Sequence, residues 1–208
     1  MSIDDIMRMA PVIPVLVIDD GVDATAIAET LVAAGLKVIE VTLRTPQALA
    51  AIAAMAKVEG AVVGAGTVLN QAMLGEAIGA GARFIVSPGL TEPLGKAAIV
   101  SGFPYLPGVA NAGDIMRGLD LGLSRFKFFP AEASGGLPAL KSLAGPFGDV
   151  RFCPTGGIGE ANAATWLAHP AVLCVGGSWI FRTGETDLAA IGARARAAAC
   201  LAASAASI

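Results

Sequence analysis

The chain has 208 residues, of which 55% are hydrophobic, 15% charged and 5% aromatic, and its formal net charge is −3. This length can bury a full core, and no linker, charge run or low-complexity tract divides it, so we expect one domain over residues 1–208. The mildly negative charge argues against binding to nucleic acid or to an anionic membrane surface.

No stretch of the sequence predicts a membrane span or a secretory signal. The long uncharged stretch at residues 161–181 is interrupted by His169-Pro170 and by Gly176-Gly177, whereas a spanning helix needs about 20 apolar residues in succession. Asp4 and Asp5 give the N-terminus the wrong charge for a signal peptide. We therefore expect a cytoplasmic protein.

Cysteine and histidine content limits the chemistry. The three cysteines form no C-x-x-C pair, which fits a reducing compartment, and His169 is the only histidine. A metal site with several histidine ligands is therefore impossible, and a Ser-His or Cys-His nucleophile would need His169, which we place on the surface. We expect neither a metal nor another cofactor.

In chain order, the predicted elements alternate between strand and helix. A first helix is predicted at residues 3–10. Eight short apolar strands follow, at residues 12–18, 38–43, 61–66, 84–87, 105–108, 125–128, 151–155 and 172–176. An Ala/Leu-rich helix is predicted after each strand, at residues 24–35, 46–55, 71–81, 92–101, 112–122, 137–143, 161–167 and 188–203.

This alternation predicts an α/β protein with parallel strands. Eight strand–helix units in a chain of about 200 residues favour a closed (β/α)8 TIM barrel. The alternative is an open, doubly wound sheet, which normally has fewer strands, and no G-x-G-x-x-G motif follows the first strand. The helix at residues 3–10 would be an extra N-terminal helix that covers the bottom of the barrel.

Polar residues follow an alternating pattern on the second predicted strand. Glu40, Thr42 and Arg44 would point to the interior, whereas the apolar residues between them would face the helices. Burying three polar groups is costly without partners, so a structural salt-bridge layer is one interpretation. We favour a functional one, because the chemistry of this fold lies at the carboxyl ends of the strands.

Lys127 is the one lysine predicted to point inward from a strand, between Phe126 and Phe128 on the sixth strand. An ammonium held away from water loses hydration, which favours the uncharged amine and makes it a candidate to form an imine with a ketone. The alternative is a buried lysine that pairs with Glu40 for structural reasons alone.

Glycine pairs follow the seventh and eighth strands, as Gly156-Gly157 and as Gly176-Gly177 before Ser178. Such glycines let backbone N–H groups approach an anion, and this position is the usual phosphate site of barrel enzymes. The remaining strand ends are typical of turns, and among them Thr67 is the best candidate to contact a ligand. We interpret Cys153, Cys174, Trp166 and Trp179 as packing residues.

Six sequence blocks carry a resemblance to a known family. They are EVTLRT at residues 40–45, VGAGTV at 63–68, SPGLT at 87–91, FKFFPAE at 126–132, VRFCPTGGI at 150–158 and CVGGSW at 174–179. With these blocks the chain resembles the bacterial 2-keto-3-deoxy-6-phosphogluconate (KDPG) aldolases, class I or Schiff-base aldolases, over nearly its whole length. The resemblance implies a metal-independent homotrimer that acts on a phosphorylated sugar acid and releases pyruvate.

The same resemblance implies roles for individual residues. Lys127 would form the Schiff base and Glu40 would be the general acid and base. The expected substrate-binding residues are Arg44 and Thr67 for the pyruvate part, Thr155 for stereochemistry, Gly156, Gly157 and Ser178 for the phosphate, and Pro88, Phe129 and Gly177 as further lining residues. The role of the Ala110-Asn111 loop stays open.

We therefore expect a lyase that cleaves KDPG to pyruvate and D-glyceraldehyde 3-phosphate. The same chemistry on the galactonate-derived epimer or on 2-keto-4-hydroxyglutarate (KHG) is the nearest alternative. A phosphosugar isomerase or epimerase would use Glu40 and Lys127 only as acid and base. A non-catalytic, phosphate-sensing protein would need the glycines but would have no use for a buried amine at residue 127.

Overall fold

The computed structural model describes residues 1–201, in which strands and helices alternate after a first helix. The strands are β1 (Val12–Leu16), β2 (Val38–Thr42), β3 (Val62–Gly66), β4 (Phe84–Val86), β5 (Tyr105–Leu106), β6 (Gly108–Val109), β7 (Arg125–Phe128), β8 (Arg151–Pro154) and β9 (Val175–Gly177). The helices are α1 (Ile3–Arg8), α2 (Ala24–Ala33), α3 (Ala48–Met55), α4 (Gln71–Gly79), α5 (Glu92–Ser101), α6 (Ala112–Asp120), α7 (Gly136–Ala144), α8 (Ala163–Leu167) and α9 (Leu188–Ala199).

The helices match their predicted positions with shifted ends. α3 begins two residues later than predicted, and α1 ends at Arg8 because the chain turns toward Pro11. The last helix was predicted at residues 188–203 and the structure ends it at Ala199. Residues 202 and 203 of that prediction lie outside the described residues.

The strands form two parallel sheets, and the prediction of a closed (β/α)8 TIM barrel is therefore wrong. One sheet has six strands in the order β5-β4-β3-β2-β1-β9, and the other has three in the order β6-β7-β8. The first break falls where Pro107 divides the fifth predicted strand, since proline has no N–H to donate to a ladder. At the other junction β8 meets the β9 segment only through the isolated bridges Phe152↔Val172 and Thr155↔Gly176.

Side chains alternate between two hydrophobic clusters along β2. Ile39 and Val41 belong to the larger cluster, which includes the inner faces of the helices. Val38, at the start of β2, belongs to a smaller cluster that also contains Ile6 and Met7 of α1. The first residues of β3 and β4 join this smaller cluster too, so α1 packs against the amino ends of the strands and leaves the carboxyl ends open.

No helix among residues 1–201 has the length and apolarity needed to cross a membrane.

Two helical glycines should respond to alanine in opposite directions. At Gly118 of α6 a Cβ would overlap the ring of Phe126, whereas at Gly75 of α4 it would meet nothing within 4 Å. We expect Gly118→Ala to lower the free energy of unfolding by about 1–3 kcal/mol through overpacking. Gly75→Ala should raise it by up to about 1 kcal/mol through helix propensity. Urea unfolding measures both, and equal effects would contradict the close packing of α6 on Phe126.

Candidate active site

A buried ion pair joins β2 and β7. Lys127 Nζ donates a hydrogen bond to Glu40 Oε1 at 3.0 Å, and the two residues are only 6% and 3% exposed. On β7 the flanking Phe126 and Phe128 point the other way, into the larger hydrophobic cluster. The alternation predicted from the sequence therefore places these two residues together, and the buried amine lies next to a carboxylate, as expected.

Glycine on β3 makes room for the Glu40 side chain. In the parallel register Glu40 lies opposite Gly64 and Thr42 opposite Gly66, and a Cβ at Gly66 would overlap the Glu40 carboxylate. Thr42 is buried and its hydroxyl donates to the Leu16 carbonyl at 2.9 Å, which satisfies it within the structure. The interior polar side chains of β2 are thus accommodated by small neighbours on β3.

Arg44 and Thr67 meet above the ends of β2 and β3. Arg44 Nε donates to Thr67 Oγ1 at 3.3 Å. Among residues 1–201 no carboxylate lies within 4.0 Å of the Arg44 guanidinium. Thr67 has φ 59°, a left-handed conformation that costs a β-branched residue about 1–3 kcal/mol. A guanidinium without a carboxylate partner, beside the hydroxyl of a residue with a strained backbone, is suited to bind an anionic group from solution.

Phe129 lies beside the lysine side chain, and the Pro88 turn lies against the strand paired with it. The Phe129 ring centroid lies 5.3 Å from Lys127 Nζ, and the Phe129–Pro130 peptide bond is cis. Gly108 of β6 is in register with Lys127, and a Cβ at Gly108 would overlap the carbonyl of Pro88. The backbone of Pro88 therefore lies close to Gly108, the residue that pairs with Lys127.

A buried hydroxyl pair that the sequence reasoning missed supports the Pro88 turn. Ser87 Oγ donates to the Gly89 carbonyl at 2.7 Å and also lies 2.7 Å from the Tyr105 hydroxyl. Because Ser87 has one hydroxyl hydrogen, Tyr105 must be the donor in the second contact. The Ser87 hydroxyl thus holds the turn from the core side. In the sequence, only the short S-P-G motif indicates a turn here.

The glycine loop, defined here as residues 156–159, follows β8 and lies next to the end of β9. The Thr155↔Gly176 bridge brings these two strand ends together. Gly156 and Gly157 have φ 103° and 77°, which suits glycine alone. Within residues 1–201 the backbone N–H groups of Gly157 and Ser178 donate to no other residue. Free N–H groups on neighbouring turns of this kind can form an anion-binding concavity.

Close contacts also explain the glycines of β9. A Cβ at Gly176 would overlap the buried Thr155 side chain, and one at Gly177 would overlap the Trp179 ring. Thr155 therefore sits beside the loop, with its hydroxyl 3.4 Å from the Cys153 carbonyl. The structure thus brings Thr155, Gly156, Gly157, Gly177 and Ser178 to one region, as the sequence predicted.

Two buried thiols lie beneath the ion pair. Cys153 is in register with Lys127, and Cys174 belongs to the same small hydrophobic cluster. A hydrogen bond with Cys153, followed by burial, raises the pKa of the Cys174 thiol well above its ordinary value. The thiol is therefore protonated at neutral pH and is no nucleophile, which agrees with its interpretation as a packing residue.

The Ala110-Asn111 loop and His169 extend or correct the sequence interpretation. Asn111 caps α6 by accepting from Asp114 N at 3.0 Å, and Asp114 accepts from Ala110 N at 2.9 Å, so the Ala110-Asn111 loop is held by capping. His169 is half-buried, with Nδ1 accepting from Ala171 N, and burial lowers its pKa. Its placement on the surface was therefore only partly right.

Comparison with known proteins identifies the family. The model of the family "KDPG and KHG aldolase" matches residues 3–194. A 2-dehydro-3-deoxy-phosphogluconate aldolase of Zymomonas mobilis is 62% identical over 197 residues, covering 95% of each chain. The chain belongs to the KDPG and KHG aldolase family. It is accordingly an aldolase, a carbon–carbon lyase.

Further members of this family show the range of the likeness. The KHG/KDPG aldolase of Escherichia coli K12 is 54% identical over 86% of this chain and 84% of its own. The crystal structure of the KDPG aldolase from Zymomonas mobilis ATCC 29191 matches with a TM-score of 0.95 over 97% of this chain and 98% of its own. A Legionella pneumophila KDPG aldolase, solved with pyruvate captured as a covalent carbinolamine, is 42% identical with a TM-score of 0.90, over 96% and 98%.

The one tyrosine of the chain offers a pH test of this region. Burial raises the pKa of Tyr105 to about 12 from 10.0, and this outweighs the opposing effect of the contact with the Ser87 hydroxyl. Because the folded-state pKa lies above the unfolded one, the stability that this group contributes is complete below pH 10.0 and is lost as the pH rises through about 12. Phenolate absorbance should show a midpoint near 12 in the native protein and near 10 in urea.

The control for this titration is Tyr105→Phe, which should show no phenolate signal. As the pH rises toward 12, the free energy of unfolding of this variant should also fall less than that of the wild type, because it has no phenol to ionise. A native midpoint close to that of the unfolded chain would mean that Tyr105 is not packed beneath the Pro88 turn.

Proposed function

We propose that this chain cleaves KDPG to pyruvate and D-glyceraldehyde 3-phosphate through a Schiff base on Lys127. The observation that carries the proposal is the buried pair of Lys127 and Glu40, 3.0 Å apart, in a member of the KDPG and KHG aldolase family. The names of the Zymomonas and Escherichia relatives support the substrate. The carbinolamine in the Legionella relative supports covalent chemistry with pyruvate.

The first steps use the contact between the two side chains. Glu40 accepts a proton from the Lys127 ammonium, and the neutral amine adds to the C2 ketone to give a carbinolamine. Glu40 then returns the proton to the carbinolamine hydroxyl, which leaves as water, and a protonated imine remains. Because both groups are buried and the Phe129 ring lies beside Lys127, bulk water does not compete for this proton.

The imine is the electron sink for bond cleavage. Glu40, through a water molecule, removes the proton of the C4 hydroxyl, the C3–C4 bond breaks, and its electron pair moves into the imine to form an enamine. D-Glyceraldehyde 3-phosphate leaves, C3 of the enamine is protonated, and hydrolysis releases pyruvate and free Lys127. This scheme needs no metal or cofactor. The absence of both from the reaction stays a prediction.

Two groups of residues hold the substrate at its ends. Arg44 binds the carboxylate with two parallel hydrogen bonds, which orients the keto acid toward Lys127. Thr67 contributes its hydroxyl, and Phe129 and Pro88 form the wall beside the amine. At the other end the phosphate is bound by the N–H groups of the glycine loop and of the strand end at Gly177 and Ser178, with Thr155 between the two groups.

KHG is a second candidate substrate. The matching family model and the Escherichia coli relative both include KHG in their names. KHG would use the same imine at Lys127 and the same grip of Arg44, but it has no phosphate for the glycine loop. Comparing kcat/KM for the two substrates decides which of them this chain prefers.

The homotrimer and the cytoplasmic location stay predictions for this chain. They are supported only by the resemblance of the sequence to its family and by its cysteine content. Sedimentation velocity of the purified protein measures the number of subunits directly, and a monomer would contradict the first of these predictions.

Reductive trapping tests the role of Lys127. With pyruvate and borohydride we expect one stable adduct, located by peptide mass spectrometry on Lys127, and Lys127→Ala should lose both the adduct and nearly all turnover. Lys96→Ala is the matched control, because Lys96 is exposed and pairs with Glu92 on α5. An isomerase would give no adduct, and a phosphate-sensing protein would keep its function in Lys127→Ala.

Substitution of Glu40 by glutamine tests the proton transfers. Glutamine keeps the size of the side chain and an oxygen that accepts a hydrogen bond, but it cannot take a proton. We expect kcat to fall by about a hundredfold to ten-thousandfold. Circular dichroism should show an unchanged fold. A Glu40→Gln enzyme with normal kcat over the whole pH range would exclude Glu40 as the acid and base.

A further inference from the structure

The side chain of Asn162 hydrogen-bonds to the glycine loop and to Glu132. Its Oδ1 accepts from Gly159 N at 2.8 Å, and its Nδ2 donates to the Gly157 carbonyl at 3.2 Å and to Glu132 Oε1 at 3.0 Å. These partners are one donor and two acceptors, so the amide can have only one orientation. Both ends of the amide therefore hold the loop backbone.

Asn162 does not serve its own helix in this way. It occupies the N-cap position of α8, yet its side chain makes no capping hydrogen bond to that helix. Asn70 and Asn111, by contrast, accept from the third residue of the helices they begin. The Asn162 amide is thus directed to the loop at the expense of the usual cap.

Glu132 fixes the outer end of this arrangement. Its Oε1 accepts from Asn162 and also from Trp166 Nε1 at 3.0 Å, and its backbone N–H donates to the Gly156 carbonyl at 3.1 Å. Trp166 is buried and packs against Phe128, with ring centroids 6.3 Å apart. The loop is therefore connected through Glu132 and Trp166 to β7, the strand that carries the reactive lysine.

Glycine at residue 157 is required by the same arrangement. A Cβ there would lie 2.6 Å from Glu132 Cγ, and the residue has φ 77°. Glycine adopts this loop conformation freely, but it also adopts many others. The loop therefore needs hydrogen bonds from other residues to stay in one conformation. Without the Asn162 hydrogen bonds, the free N–H groups would have to be ordered at the moment an anion binds, and that entropy cost would weaken binding.

We propose that Asn162 is a positioning residue that pre-organises the glycine loop for the phosphate of the substrate, with Glu132 orienting the Asn162 amide. This inference rests on the proposed function, since it takes the loop as the phosphate site. It assigns selectivity for the phosphorylated substrate to two residues that do not contact the reacting atoms. At the keto-acid end, on β2, β3 and β7, neither residue hydrogen-bonds to Glu40, Arg44 or Lys127.

Paired substrates test the inference. For Asn162→Ala we expect KM for KDPG to rise by about tenfold, the equivalent of one or two lost hydrogen bonds, with kcat nearly unchanged. KM for 2-keto-3-deoxygluconate, which lacks the phosphate, should stay the same. Competitive inhibition by inorganic phosphate should weaken by the same factor as KDPG binding, and trapping of pyruvate on Lys127 should be unaffected.

A second pair of variants covers the possibility that Asn162→Ala folds poorly. Glu132→Gln keeps an oxygen that accepts from Asn162 and Trp166 and should resemble the wild type, whereas Glu132→Ala should raise KM for KDPG selectively. Combined with Asn162→Ala, Glu132→Ala should add little further, because both act on one loop. Ser2→Ala is the control for general stability, since it removes a helix cap at the opposite end of the strands.

The outcomes separate this inference from the proposed function. An equal loss on both substrates, or an unchanged KM for KDPG in both Asn162→Ala and Glu132→Ala, would overturn the positioning role. If the wild type itself gave no Lys127 adduct and did not cleave KDPG, the proposed function would fail instead. If the variants still formed the Lys127 adduct and kept the wild-type preference for the phosphorylated substrate, the aldolase chemistry would stand and only the positioning role of Asn162 would be contradicted.

Discussion

The contact between Lys127 and Glu40 is the constraint on which the rest of the site depends. Removing two charges from water costs several kcal/mol for each ion, and their attraction repays this only with good geometry. Well-packed apolar residues would stabilise the same positions at least as well. The pair is therefore weak as a stabilising device. It is valuable as chemistry, because a proton can move between an amine and a carboxylate that are 3.0 Å apart.

The neighbouring strands are shaped around this pair. Gly66 leaves room for the carboxylate, and Gly108 lets the backbone of the Pro88 turn approach the strand of the lysine. A side chain at either position would displace one of the interacting groups. The hydroxyls of Ser87 and Tyr105 then hold the turn from the core side. The shape of the site therefore depends on glycines at Gly66 and Gly108 as well as on the reactive side chains.

Local patterns in the sequence predicted the parts of the site that lie on single strands. Alternation placed Glu40 and Lys127 in the interior because β2 and β7 each have one face against the helices. The closed barrel was predicted wrongly because Pro107 reads as part of a short apolar run, although its missing N–H interrupts the ladder. The contact of Glu132 with Asn162 spans 30 residues, and no periodicity reports such a pairing. Residue 162 was not predicted as part of the site, and the preference of asparagine for N-caps would have indicated a helix cap, which its side chain does not make.

The proposed keto-acid and phosphate ends of the site are supported by different parts of the structure. The keto-acid end is built on β2, β3 and β7, where continuous ladders and a buried ion pair fix the side chains. The phosphate end lies where β8 and β9 share only isolated bridges, so its shape relies on glycine conformations and on side-chain hydrogen bonds between loops. Changes at the phosphate end can therefore alter which keto acid is bound without disturbing Lys127. A family that includes aldolases named for both KDPG and KHG is consistent with such a division, because only one of these substrates carries a phosphate.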